Sequence, residues 1–191
     1  MMENDPSEAE AAESLAGSLL LSHPSLKDPN FRRTVVLLSA HDAEGAMGVV
    51  LNRGTGKTLA DLDEAFAFGA LATVPVLAGG PVQTDRLLIC ALGFHSDGAG
   101  LRLHFGLEPL EAEKLKAEQG DDIELRAFVG YSGWGEGQLE NELDHDTWAV
   151  SAIPSDVLDY EQNESMWRGI LVRVSPEWKL LAEEPDDPER N

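Results

Sequence analysis

Two short polar turns constrain this chain more than any other feature. "HDAEG" joins the apolar run "TVVLLSA" to "AMGVVLN", and "SDGAG" joins "LLICALGFH" to "LRLHF". Both are long enough only for a direct antiparallel return, whereas parallel neighbours need a crossover of about a dozen residues or more. A doubly wound parallel sheet is therefore opposed from the start. Further apolar, β-favouring runs are bounded by Gly, Pro, Asn and Asp. They span Ser18–Leu21, Thr34–Ser39, Met47–Asn52, Val74–Ala78, Arg86–Phe94, Leu101–Phe105, Ile123–Gly130 and Trp148–Ile153, which predicts about eight strands.

Helical spacing fits Leu59–Phe68, Pro109–Gln119, Gln138–Leu143 and Ser165–Val172, with Thr58 as an N-cap and Gly120 as a stop. These helices interrupt the strands instead of alternating with them, so the class is α+β. At 191 residues and 42% hydrophobic content, one domain with a sizeable core is expected. Polar, acidic, proline-broken ends mark residues 1–13 and 177–191 as tails around a folded unit over 14–176.

The formal charge is −21, of which the tails hold −5 and −4, leaving −12 on the folded unit. Such a surface repels polyanions, so direct binding to nucleic acid or to an anionic membrane is not expected. The N-terminus lacks the basic and apolar regions of a signal peptide, and no apolar run is long enough to span a bilayer. A cytoplasmic protein is expected. Cys90 is the one cysteine; on an apolar strand it reads as a small buried hydrophobe, and no pair exists for a disulfide or a CxxC site.

The segment "FVGYSGWGEGQLENEL" carries Gly130, Gly133, Gly135 and Gly137 around an aromatic pair. A nucleophile elbow would need glycine at 134, where Trp134 stands. "RGTGKT" offers Gly56, Lys57 and Thr58 but lacks the first glycine of a phosphate loop. The acids around His145 lack calcium-loop spacing, and zinc would need more nitrogen or sulfur donors. His95 and His104 flank a hairpin without facing each other. No cofactor and no metal are expected. The glycine-rich corner reads as a turn that lets Trp134 enter a core, and "LAGGPV" as a place of close backbone approach.

Taken together, "GSLLLSHPSLKDPNFRRTVVLLSAHDAEGAMGVVLNR", "VLAGGPVQTDRLLIC" and "VGYSGWGEGQLENELDHDTWAV" resemble, in order and spacing, the YqgE/AlgH family of bacterial proteins. The resemblance covers about Gly17 to Val172. The matching motif positions are Asp28, Pro29, Phe31, Asn52, Gly79, Gly80, Pro81, Gly130, Gly133, Trp134, Gly137, Gln138, Leu139, Glu140 and Trp148. The family often carries a histidine soon after the GGP strand; here the chain reads "LLICALGFH". The resemblance implies a single domain with a bent or bifurcated, largely antiparallel sheet, partly closed as a small barrel and flanked by helices. It implies no catalytic residues. Family members are generally uncharacterised, and one family name suggests a transcriptional regulator.

Two functional readings follow. One is a non-catalytic cytoplasmic regulatory or interaction protein acting through an unidentified protein partner. The other is an enzyme or small-molecule binder whose pocket forms where "DPNF", "LNR", "GGPV" and "GWGEGQLE" converge. Its candidate residues are Asn52, Arg53, Gly79, Gly80, Pro81, Trp134, Gly137, Gln138 and Glu140, with Arg32 and Arg33 nearby.

Overall fold

The computed structural model describes residues 13–95 and 100–184. Residues 1–12 of the expected tail over 1–13, the tip of the "SDGAG" turn and the end of the chain from 185 lie outside them. Among the described residues, nine strands form one mixed sheet curled as a half-barrel, with five α-helices. The order along the main path is β4 (Gly54–Thr58), β5 (Pro75–Ala78), β8 (Glu124–Gly135), β3 (Gly45–Val50), β2 (Val35–Asp42), β1 (Leu19–Ser22) and β9 (Trp148–Ser151). The long β6 (Val82–Phe94) branches from β8 and pairs with β7 (Leu101–Leu107).

Both predicted returns are antiparallel hairpins, β2 to β3 and β6 to β7. One parallel pair, β5 with β8, accompanies them. β8 creates the bifurcation. Its first part runs between β5 and β6, and after Gly130, at φ 73°, its last residues Ser132–Gly135 pair instead with β3. One strand thus belongs to both halves of the sheet.

Side-chain alternation sorts the core into three clusters. Leu19, Leu21, Val35 and Leu37 from one half join Leu77, Leu88, Cys90, Leu92 and Phe128 from the other. Into this concave space α4 (Glu164–Val174) inserts Met166, Trp167, Ile170 and Leu171. The intervening residues Leu20, Val36 and Leu38 face the opposite side and pack with Trp134, Leu139 and Trp148. The reverse face of β5, β6 and β8 is covered from α1 (Leu59–Leu62) and α2 (Pro109–Gln119), through Leu59 and Ala112. A run such as Leu19–Leu20–Leu21 is continuous because both faces of its sheet are covered.

Element ends follow local chemistry. Pro109 opens α2, where the Glu111 carboxylate accepts the Glu108 N–H at 3.0 Å, and Gly120 ends it at φ 56°. The predicted helix over Leu59–Phe68 is broken: Asp63 is extended and its carboxylate accepts Ala65 N–H, starting a separate 3₁₀ turn over Glu64–Phe66. β4 was not expected, since "GTGKT" has no apolar side chain; Thr55 ties it to β5 through Val76 O at 2.7 Å. In the segment read as a C-terminal tail, Lys179–Glu183 forms α5, which buries Ala182 in the main core beside Trp178.

Candidate functional site

α3 (Gln138–Asp144) starts from Gly137, whose φ of 69° is the left-handed conformation that favours glycine. Its buried Leu139 faces the core, and one turn on Glu142 reaches two indoles. Trp134 and Trp148 both donate their Nε1–H to Glu142 Oε2, at 2.9 and 2.7 Å. Gln138 donates to the other oxygen of Glu142 at 3.0 Å and accepts Gly135 N–H at 3.1 Å. Phe31 of "DPNF" completes the group, stacked on Trp134 at 6.1 Å and edge-on to Trp148 at 5.6 Å. Trp134 is only 6% exposed. The glycine-rich corner is therefore a seat for two tryptophans, clamped by one carboxylate.

Two residues before Glu142 on α3, Glu140 Oε1 lies 2.7 Å from His41 Nε2. His41 Nδ1 accepts the Leu15 N–H at 2.9 Å, so that nitrogen carries no proton and Nε2 is the donor to Glu140. This hydrogen bond, the largest cause, holds the Glu140 carboxyl below the ordinary glutamate range. Both ring nitrogens are occupied and the His41 side chain is buried, so the pair ties the N-terminal segment to the β2–β3 hairpin and has no nitrogen left for a substrate proton.

Asn52 is buried at the other end of β2. Its Oδ1 accepts Val35 N–H and its Nδ2 donates to Arg33 O, both at 2.9 Å, which joins the end of β3 to the start of β2. Arg53 donates to Arg32 O at 2.9 Å and to Thr34 Oγ1 at 3.2 Å. Burial, and then the nearby Arg32 charge, lower its pKa, with Glu164 opposing. Arg33 bonds Glu164 at 3.0 Å and Glu184 O at 2.7 Å, and its guanidinium lies 5.8 Å over the Trp167 ring. These arginines lock the "DPNFRR" turn onto α4 and the C-terminal segment.

Gly79 and Gly80 cross β8 at its bend. A Cβ on Gly80 would lie 2.3 Å from Tyr131 backbone, and one on Gly79 would lie 2.3 Å from Gly130 O. Val50 N–H donates to Gly79 O at 2.9 Å, and Ser132 Oγ bonds the same carbonyl at 3.1 Å. Pro81, next in the chain, is exposed. The serine of the apparent elbow is thus fully buried and holds a strand junction.

The structure brings Phe31, Trp134, Gln138 and Glu142 together, and separately Asn52 with Arg53. It keeps Asn52 and Glu140 apart. Asn52 contacts Val35 and Glu140 contacts His41, at opposite ends of β2, ~20 Å apart at strand rise. His104 stands opposite Ala91 in the β6–β7 register, away from His95. Among the described residues, no group of three His, Cys, Asp or Glu is placed to hold a metal ion. Glu142 and His41 escape sequence reasoning because one looks like another surface acid and the other like a turn residue; only their distant partners reveal them.

A family model described as AlgH-like, a domain family of unknown function, matches residues 19–179. A UPF0301 protein of Streptomyces avermitilis is 45% identical, the match covering 93% of this chain and 96% of the relative. A UPF0301 protein of Mycobacterium leprae is 40% identical over 92% of this chain and 90% of its own length. The solution structure of the AlgH protein from Pseudomonas aeruginosa is similar at TM-score 0.61 and 26% identity, covering 98% of this chain and all of that one. A Corynebacterium diphtheriae crystal structure shares the fold at TM-score 0.66, with 20% identity over 96% of this chain and 95% of that one.

Proposed function

This chain belongs to the AlgH-like family, and from that premise we propose that it is a non-catalytic cytoplasmic regulator that acts through a protein partner. The observation that carries the reading is an apolar surface left in water. Phe68 is 93% exposed and Leu110 79% exposed. The turn after Phe68 abuts α2, since Gly69 stands beside the Glu113 carboxylate, and Leu110 and Glu113 share one face of that helix. Asp63, Glu64 and Glu111, close in sequence to one or the other of the two, are exposed acids. A partner with an apolar pocket and a basic rim fits this surface. The motif residues Asn52, Arg53 and Gln138 support the same reading, because their side chains bond within the fold. Any effect on transcription would be indirect, through that partner.

The test is photo-crosslinking from position 68, identification of the adduct, and titration of the purified adduct protein against parent and Phe68→Ser/Leu110→Ser chains. Binding should fall about tenfold or more, and should weaken with salt. Binding indifferent to both substitutions, or crosslinking only to a second copy of this chain, would refute the reading.

A further inference from the structure

His41 ties residues 13–16 to the hairpin of β2 and β3. Its Nδ1 accepts the Leu15 N–H at 2.9 Å, and its backbone O accepts the Ser14 hydroxyl at 2.7 Å. Leu15 is half-buried against the cluster that holds Trp134, Leu139 and Trp148, while Ser14 and Ala16 on either side of it are exposed. Gly17, at φ 81° and with open space around its missing Cβ, separates this segment from the sheet, where Leu38 N–H bonds Ser18 O at 3.0 Å. A segment held through the ring and carbonyl of one residue opens at lower cost than the sheet behind it.

The bond from Leu15 exists only while Nδ1 carries no proton, and Nε2–H is already given to Glu140 at 2.7 Å. An imidazolium would aim an Nδ1–H at a backbone N–H, donor against donor. The docked segment and a charged ring therefore exclude each other. The ionisable groups on the elements around the ring are acids. On α3, Glu140 bonds the ring, Asp144 lies one turn on, and Glu142 is taken by the tryptophans. The hairpin adds Asp42 and Glu44, the segment adds Glu13, and β3, with Ala46 opposite His41, adds none. Glu140 stays ionised in mild acid, because its hydrogen bond with His41 holds the carboxyl below the ordinary glutamate range. Charge favours the imidazolium, and the Leu15 N–H resists it.

We propose that residues 13–16 form an acid-released latch: a proton taken by His41 Nδ1 expels the Leu15 N–H, the segment turns away at Gly17, and Leu15 leaves the tryptophan cluster. The released ring keeps its Nε2–H on Glu140, so β2 and α3 stay joined. The released state binds one proton that the docked state cannot, so acid favours release. A free imidazole takes its proton near pH ~6.5, which puts the change within the range that histidine serves as a switch. Release bares the apolar footprint of Leu15 on its cluster. The latch draws on no residue of the Phe68–Leu110 surface, so it stands or falls without the partner reading.

Amide exchange, followed by NMR on the full chain from about pH 8 to about pH 5.5, tests the proposal. Corrected for the intrinsic exchange rate, the protection of Leu15 N–H should fall by up to about tenfold per pH unit below about 6.5, while that of Leu38 N–H, on the sheet side of Gly17, should hold. His41→Gln, which cannot take the proton, should remove the pH dependence. Glu140→Gln should keep it but move the fall to lower pH, because the released imidazolium loses its carboxylate. If His41→Gln does not fold, the ring nitrogen shifts of His41 in the parent decide: Nδ1 should gain its proton over the same range in which Leu15 loses protection. Leu15 protection that stays constant, that falls in step with Leu38, or that falls before Nδ1 is protonated would overturn the proposal. So would a pH dependence that survives in His41→Gln or is unmoved in Glu140→Gln.

Discussion

Trp134 and Trp148 stand with ring centroids 5.9 Å apart and edge to face, and their indole N–H groups converge on one oxygen of Glu142. An acid on a short helix thereby fixes two tryptophans from two strands. Trp134→Ala should cost about 3–5 kcal/mol, the range for a large aromatic removed from a core. Glu142→Ala leaves two indole donors without their acceptor and should cost about 2–4 kcal/mol. Gln138→Ala removes one exposed hydrogen-bonding group and should cost under about 1 kcal/mol. Urea denaturation of the three variants beside the parent measures this. A Trp134→Ala cost below about 1 kcal/mol would remove the case for a structural corner.

Glu140, a residue of α3, is bonded to His41 at the far end of β2. Its folded-state carboxyl titrates below the ordinary glutamate range, chiefly through that hydrogen bond. A depressed carboxyl contributes stability above its unfolded pKa, and that stability is lost as pH falls through the folded value. Glu140→Gln should therefore be less stable than the parent at neutral pH, and the gap should close as pH drops below about 4. Paired urea midpoints at both pH values check it; a gap of constant size would refute the linkage. Because Glu140 is substantially exposed, the effect is expected to be small.

The parts legible beforehand were those with local causes. The turn lengths specify the hairpins, and the Pro109–Gln119 helix is bounded by a proline and a glycine. β4 was hidden because its "GTGKT" residues are held by backbone pairing with β5, which no side-chain pattern announces. The sheet's bifurcation was visible only as a surplus of glycine, since Gly130 acquires meaning when Gly80 O is found 2.4 Å from its missing Cβ. The burial of Arg126 was not legible, because an arginine between leucine and alanine reads as an outward residue of an alternating strand until both faces prove covered.

Cys90 is fully buried, and burial pushes its thiol up to about 11. The thiolate is the reactive form, so alkylation of the native protein at pH 8 should be slow and should follow global opening. In denaturant it should become fast. Mass spectrometry of iodoacetamide-treated samples with and without urea gives the two rates. Rapid native labelling would show the strand to be accessible, which the packing of Leu88, Leu92 and Phe128 around it forbids.

The charge of −21 opposes direct contact with nucleic acid. The arginines that do cluster, Arg32, Arg33 and Arg53, are joined to Glu164 or to backbone carbonyls. A mobility-shift assay at low salt, where electrostatic binding is strongest, should show no complex with duplex DNA in the micromolar range. A salt-sensitive complex below about 1 µM would restore a direct role at DNA and count against the partner-mediated one.

The strand crossing gives the sharpest mutational contrast. Gly80 has φ 150°, and an added Cβ would stand 2.3 Å from Tyr131 C and O and 2.5 Å from Ser132 N. All three atoms belong to the backbone of β8, so no side-chain rotation relieves the clash, and β5 or β8 must shift. That shift would pull Ser132 Oγ from Gly79 O and strain β8, the strand shared by both halves of the sheet. Gly80→Ala should therefore cost about 3 kcal/mol or abolish soluble expression. Gly135→Ala, with no atom within 4 Å of the new methyl and no positive φ, should stay within about 0.5 kcal/mol of the parent. Thermal melts of the two variants decide the matter. Equal behaviour would mean that the two glycines are not distinguished by backbone approach, and the crossing would lose its role as the junction of the half-barrel.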